Sequence, residues 1–128
     1  MVLSVFVIED MQQVQQALAE LLGKDRFKVI GAATTEAEAN LWLEQNRNAW
    51  DVLIVDLVLE QGTGMRVIAK ARANGNGHIV VFSSFATPGI ETHCMRLGAD
   101  AVFDKAEGTA ALLAHCAALR RNDAARQL

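Results

Sequence analysis

Cysteine is scarce in this chain: of 128 residues only Cys94 and Cys116 carry thiols. They form no CxxC pair and have no His/Cys cluster beside them, which argues against a disulfide framework or a zinc ribbon. Two reduced, packed thiols are the expectation. Positive charge is not in excess either. The net charge is −3, so the molecule has no electrostatic reason to seek nucleic acid or an anionic membrane, and neither direct nucleic-acid binding nor membrane attachment is expected. Long hydrophobic runs are missing as well. Met1 to Ile8 is apolar but lacks a basic leader and a small-residue cleavage site, and is too short to span a bilayer. A cytoplasmic location is therefore expected. No repeat, low-complexity run or linker interrupts the chain, which reads as one domain over 1–122, with 123–128 a C-terminal tail or the end of the last helix.

What is present is the balance of a compact core, 52% hydrophobic and 21% charged residues, arranged as alternating short apolar runs and segments of helical period. Val2 to Ile8 is a buried strand. Met11 to Gly23 follows, with Val14, Ala17, Leu18, Leu21 and Leu22 on one stripe. Phe27 to Gly31 is a second strand, and Lys28 within it points to a sheet edge. Thr35 caps a helix to about Asn46, turning Ala39, Trp42 and Leu43 inward. Val52 to Val55 is apolar throughout, as a strand buried on both faces must be. Met65 to Ala73 is helical, Ile79 to Phe82 a strand, and Thr87-Pro88 the cap and first residue of a helix ending near Gly98. Ala101 to Phe103 is a short strand, and Thr109 to about Arg121 the last helix. Five such units imply a doubly wound parallel sheet with helices on both faces; a five-stranded (βα)5 flavodoxin-like sandwich in the order 2-1-3-4-5 is the expectation. Ligands of such sheets sit at the carboxyl ends of the strands.

That edge collects chemistry. Strand one ends in Glu9-Asp10, strand three in Asp56, strand four in Ser83-Ser84, and strand five runs into Asp104-Lys105. Three carboxylates brought together repel unless a cation relieves them, and an all-oxygen set selects Mg2+ over zinc. With a hydroxyl and an ammonium on the neighbouring strands, the set suits a transferring phosphoryl group. Asp56, at the middle of the edge, is the best nucleophile; Lys105 and Ser83 would contact the phosphoryl oxygens.

The motifs VFVIED, LIVDLVLEQGTG, IVVFSS, LGAD and VFDK, in this order and spacing, resemble the receiver domain of two-component response regulators. The likeness runs from about Val2 to Arg121. It implies phosphorelay signalling: Asp56 as acceptor of a phosphoryl group from a sensor histidine kinase, a phosphotransfer protein or a small donor such as acetyl phosphate. It implies Mg2+ held by Asp10 directly, by Glu9 through water, by Asp56 and by the Val58 carbonyl. Ser83 matches the switch hydroxyl and Lys105 the family's lysine. The domain would catalyse only its own phosphorylation and dephosphorylation, and would switch a protein–protein interaction surface.

Three positions depart from the pattern. Ala106 follows Lys105 where a proline is usual, Glu60 replaces a proline in the loop after Asp56, and Val102 stands at the aromatic switch position. Phe103, next to it, should face the other side of its strand. Val58 and Phe85, two residues past Asp56 and Ser83, are apolar and cannot orient a water, which predicts slow self-dephosphorylation.

Other readings are weaker. A phosphate-binding flavodoxin-type site would be repelled by Glu9-Asp10, and an aspartyl phosphatase would need an acid where Val58 stands. A pseudo-receiver, a non-phosphorylated protein-interaction module, is the alternative. The last helix has apolar residues on more than one face, which raises a homodimer or effector surface on helices 4 and 5. Alanine's helix propensity accounts for the same residues without a partner.

Overall fold

The computed structural model describes residues 1–126. Its strands are β1 (Leu3–Ile8), β2 (Phe27–Ala33), β3 (Val52–Val55), β4 (His78–Ser83) and β5 (Ala101–Asp104). All pair in parallel, in the order β2-β1-β3-β4-β5. The helices are α1 (Gln12–Gly23), α2 (Glu36–Gln45), α3 (Gly64–Asn74), α4 (Pro88–Leu97) and α5 (Ala110–Arg126), with a 3-10 turn at Lys105–Glu107. Of the tail expected over 123–128, residues 127–128 lie outside the described part.

Alternation along the strands sends side chains to opposite faces of the sheet, and two cores result. Phe6, Ile8, Leu53, Val55, Ile79 and Val81 pack beneath α2, α3 and α4 with Leu43, Ile68 and Cys94. Val5, Val7, Ile54, Val80 and Phe82 pack against α1 and α5 with Leu18, Leu22, Leu112 and Cys116. The central strands β1, β3 and β4 are therefore buried on both sides, as their continuous apolar runs require. β2 alternates between buried and exposed residues and forms one edge of the sheet, with Lys28 open to solvent. The two cysteines are free and lie in different cores, on opposite faces of the sheet. Burial pushes the Cys116 thiol up to about 11.

Threonine caps mark the starts of α2, α3 and α4. The Thr35 hydroxyl accepts from the Glu38 N–H, the Thr63 hydroxyl from Met65 and the Thr87 hydroxyl from Ile90. On α1 only Leu18 and Leu22 of the expected stripe are fully buried. Ala17 is exposed, since it falls on the flank of the narrow contact that α1 makes with the sheet. Among the α5 residues whose burial is described, Leu112 and Cys116 are buried and Leu113 and Leu119 half-buried, while Ala110, Ala111 and Ala114 face solvent.

Arg72 binds elements together from the last turn of α3. Its guanidinium donates to the Gly98 carbonyl at 2.9 and 3.0 Å, to the Gly77 carbonyl at 3.0 Å and to the Asp100 carboxylate at 2.7 Å. One side chain thus fastens α3 to the start of β4 and to the turn between α4 and β5.

Candidate functional site

The buried polar and charged side chains of the described residues are Glu9, Asp56 and Ser83, and all three sit at the carboxyl ends of central strands. Burying a carboxylate is costly unless it is paired. The partner is Lys105, which follows β5 directly. Its ammonium lies 2.9 Å from Asp56 Oδ2 and also forms a close ion pair with Glu9 Oε1. Asp10, less buried, completes a cluster in which Glu9, Asp10 and Asp56 each bring an oxygen within 4.8 Å of the others.

Three acids share one ammonium here, and the imbalance shows in the titration of the site. Burial, with the nearby charge of Asp56, pushes Glu9 up to about 7, against the opposing pull of Lys105. Burial alone would lower the Lys105 pKa, but the bonds to Glu9 and Asp56 outweigh it and the pKa is raised. The second carboxylate oxygen of Glu9 is buried and has no hydrogen-bond partner. An all-oxygen donor set with a spare acceptor and excess negative charge fits a hard divalent cation such as Mg2+, whose ligands sit at about 2.0–2.1 Å.

The loop after Asp56 is tightly held. Asp56 N–H donates to the Ile8 carbonyl at 2.9 Å, tying the acid to the end of β1. A Cβ on Gly64 would stand 2.0 Å from the Asp56 carbonyl oxygen, so only glycine lets α3 begin against the acid's own backbone. Thr63 N–H donates to Glu36 Oε1 at 2.9 Å, and Gly64 N–H to the Leu57 carbonyl at 3.0 Å. The Gln15 amide donates to the Glu9 carbonyl at 2.5 Å and anchors the start of α1 to the acidic pair. Gly64, Glu36 and Gln15 were not foreseen as site residues. Their roles arise from tertiary approach, and the GTG signal after Asp56 is the sole local hint.

Ser83 closes β4, two residues beyond the Val55–Val81 pair of neighbouring strands. Its hydroxyl oxygen accepts from the Phe85 N–H at 3.2 Å. Val58 and Phe85 are exposed hydrophobic side chains at the margin of the site; the Val58 N–H stands 3.4 Å from Asp56 Oδ1. Val102 packs against the core under α3 and α4, whereas Phe103 turns to the α5 face and meets the His115 ring at 5.4 Å. The two neighbours thus face opposite sides, as strand geometry requires. The two missing prolines leave backbone N–H groups that are used. Ala106 N–H donates to Asp104 Oδ1 at 2.9 Å, and Glu60 N–H to the Thr34 carbonyl at 3.3 Å.

The family model for the response regulator receiver domain matches residues 5–117. Among curated proteins, the chain is 29% identical over 97 residues to the transcriptional regulatory protein DesR of Bacillus subtilis, covering 75% of this chain and 47% of that protein. It is also 29% identical over 107 residues to the protein-glutamate methylesterase/protein-glutamine glutaminase 3 of Leptospira interrogans, covering 80% of this chain and 30% of the other. The chain thus spans less than half the length of either relative. In fold it is similar to the signal receiver domain of a DNA-binding response regulator from Colwellia psychrerythraea, at TM-score 0.81 and 20% identity over 93% of this chain and 98% of that one. The response regulator domain of Thermotoga maritima CheB gives 0.75 and 22%, over 99% and 96%. The BeF3-activated N-terminal receiver domain of Klebsiella pneumoniae RstA gives 0.78 and 23%, over 88% and 94%. With the family model covering most of the chain and the same sheet order underneath, this protein belongs to the receiver domains of two-component response regulators.

Proposed function

We propose that the receiver unit, 1–122, accepts a phosphoryl group on Asp56. The observation that carries this reading is the Lys105 ammonium bridging buried Glu9 and Asp56 beside Asp10. A carboxylate so placed is held by its backbone at the strand end and aimed out of the sheet edge, with the Lys105 ammonium 2.9 Å away. Asp56 attacks phosphorus, an oxygen–phosphorus bond forms as the donor's N–P bond (phosphohistidine) or O–P bond (acetyl phosphate) breaks, and the donor leaves as a histidine imidazole or as acetate. Lys105 then exchanges its contact with Asp56 for a phosphoryl oxygen. Ser83 gives up its bond from the Phe85 N–H and turns its own proton toward another oxygen of the group.

Glu9, Asp10, Asp56 and the Val58 carbonyl would hold Mg2+, with Glu9 acting through water. Bound there, the ion neutralises the charge that builds on the transferring group. The donors are a sensor histidine kinase or a phosphotransfer protein, and the setting is the cytoplasm; the described residues include no helix long and apolar enough to cross a membrane. The domain acts as a signalling module. Its phosphorylated form changes a protein–protein surface, for which α4 and α5 are the candidates, through an effector or a second copy. With Val102 in place of an aromatic residue, the movement of Ser83 has no ring to draw inward, so the change must pass through other contacts.

Beryllofluoride, a stand-in for the phosphoryl group, tests this reading. With Mg2+ present, amide resonances around Asp56, Ser83 and Lys105 should shift in the native chain and stay in place in Asp56→Asn. Unmoved spectra in the native chain would favour a pseudo-receiver that only binds a partner.

A further inference from the structure

At the opposite edge of the sheet from Asp56, two histidines face each other across the boundary between β4 and α5. His78 is the first residue of β4, His115 lies one turn after Leu112 on α5, and their Nε2 atoms are 2.8 Å apart. One ring must donate to the other, so a single proton occupies the space between two nitrogen lone pairs. On the far side of the His78 ring, Asp100 Oδ2 stands 3.6 Å from Nδ1. That carboxylate is fixed in place by Arg72 at 2.7 Å and by the Ile79 N–H at 2.8 Å. Its charge favours the tautomer of His78 with the proton on Nδ1, which leaves Nε2 free to accept.

We propose that His78 and His115 form a second metal site, for a borderline transition-metal cation of the Zn2+ class, with Asp100 behind His78 as its orienting carboxylate. A carboxylate–histidine–metal arrangement is how protein imidazole ligands are commonly held. Two nitrogens at tetrahedral positions, each about 2.0–2.1 Å from the ion, stand roughly 3.4 Å apart. The pair therefore opens by about half an ångström on binding. The proton now between the rings moves to the Nδ1 of its own imidazole, so both rings stay neutral and none is released.

Solvent ligands would reach the ion from the His78 side, since His78 and not His115 lines the adjoining cavity. A cavity of about 440 Å3 opens beside His78 and is lined by Asp51, Asp100, Leu119 and Asn122. Leu119 and Asn122 follow His115 by four and seven residues, on the same stripe of α5. Imidazole nitrogens select Zn2+, Cu2+ or Ni2+ over Mg2+, so this site and the oxygen cluster at Asp56 draw on different ions. An ion here would brace α5 against the start of β4, next to Phe103, which also touches the His115 ring.

The untagged protein, with Mg2+ in excess, is titrated with Zn2+ by calorimetry. One equivalent should bind, and His115→Gln should weaken it about tenfold or more. In the unsubstituted chain, paramagnetic Co2+ should broaden the ring resonances of His78 and His115 and spare those of exposed His93. Equal Zn2+ affinity in the native chain and His115→Gln overturns the proposal. So does Co2+ broadening centred on His93 or on Glu9 and Asp56, or no uptake of either ion. Should His115→Gln fail to fold, the Co2+ result decides alone.

Discussion

A buried carboxyl held at about 7, as Glu9 is, couples the stability of the metal-free protein to pH. In the unfolded chain it titrates near 4.5, so between 4.5 and 7 the folded form binds more protons. The stability this group contributes is full below about 4.5 and is lost as pH rises through 7, on the order of 3 kcal/mol across the window. With Mg2+ the trend turns round, because the ion needs charged carboxylates and its stabilisation fades as pH falls through the same range. Urea melts at pH 5 and pH 8, with and without Mg2+, should show this crossing; parallel pH trends in the two series would refute it. Gly64 acts at the same scale. Gly64→Ala forces a Cβ against the Asp56 carbonyl and should cost about 1–3 kcal/mol and slow phosphorylation. A fully stable, fully active variant in the same assays would show that α3 can yield there. Beside the site, Val58→Asn supplies a polar group able to orient water, and should speed loss of phosphate. Unchanged or slower loss would remove Val58 as the cause of a long-lived phosphorylated state.

At the scale of elements, the strands were legible because they are short runs rich in apolar residues, broken at the edge strand only by Lys28 and in β1 only by Ser4, and the helices because Thr35, Thr87-Pro88 and Gly98 punctuate them. Glu9, Asp10, Asp56, Ser83 and Lys105 could be placed on one edge because a parallel sheet sends every strand's carboxyl end the same way. That Lys105 bridges two acids at once was not legible, since the bridge depends on how far β5 extends. It runs through Asp104, one residue further than the apolar pattern indicates. Arg72 was passed over for a related reason. A basic residue in the last turn of a helix reads as solvated, yet here it bonds a carbonyl of the loop that follows its own helix and one of the distant turn between α4 and β5. Arg72→Ala should lower stability by about 2 kcal/mol, since bonds to a charged donor are lost and half-buried carbonyl acceptors are left unpaired. A denaturation midpoint within error of the native chain would mean that water replaces the guanidinium.

For the whole molecule, the open matter is what α4 and α5 meet. The solvent-facing apolar residues in the first two turns of α5 are alanines, while Met95 on α4 is an exposed large side chain. A weak, phosphorylation-dependent dimer would show as a rise in sedimentation coefficient on adding phosphodonor; a monomer in both conditions assigns the surface to another partner. Everything at this scale depends on whether the molecule captures a phosphoryl group. The direct measurement is the intact mass after incubation with acetyl phosphate and Mg2+, for the native chain and for Asp56→Asn. A gain of one phosphoryl group in the native chain, absent from the variant, is the predicted result. No gain in the native chain, or an equal gain in both, would contradict the assignment of Asp56 as the acceptor.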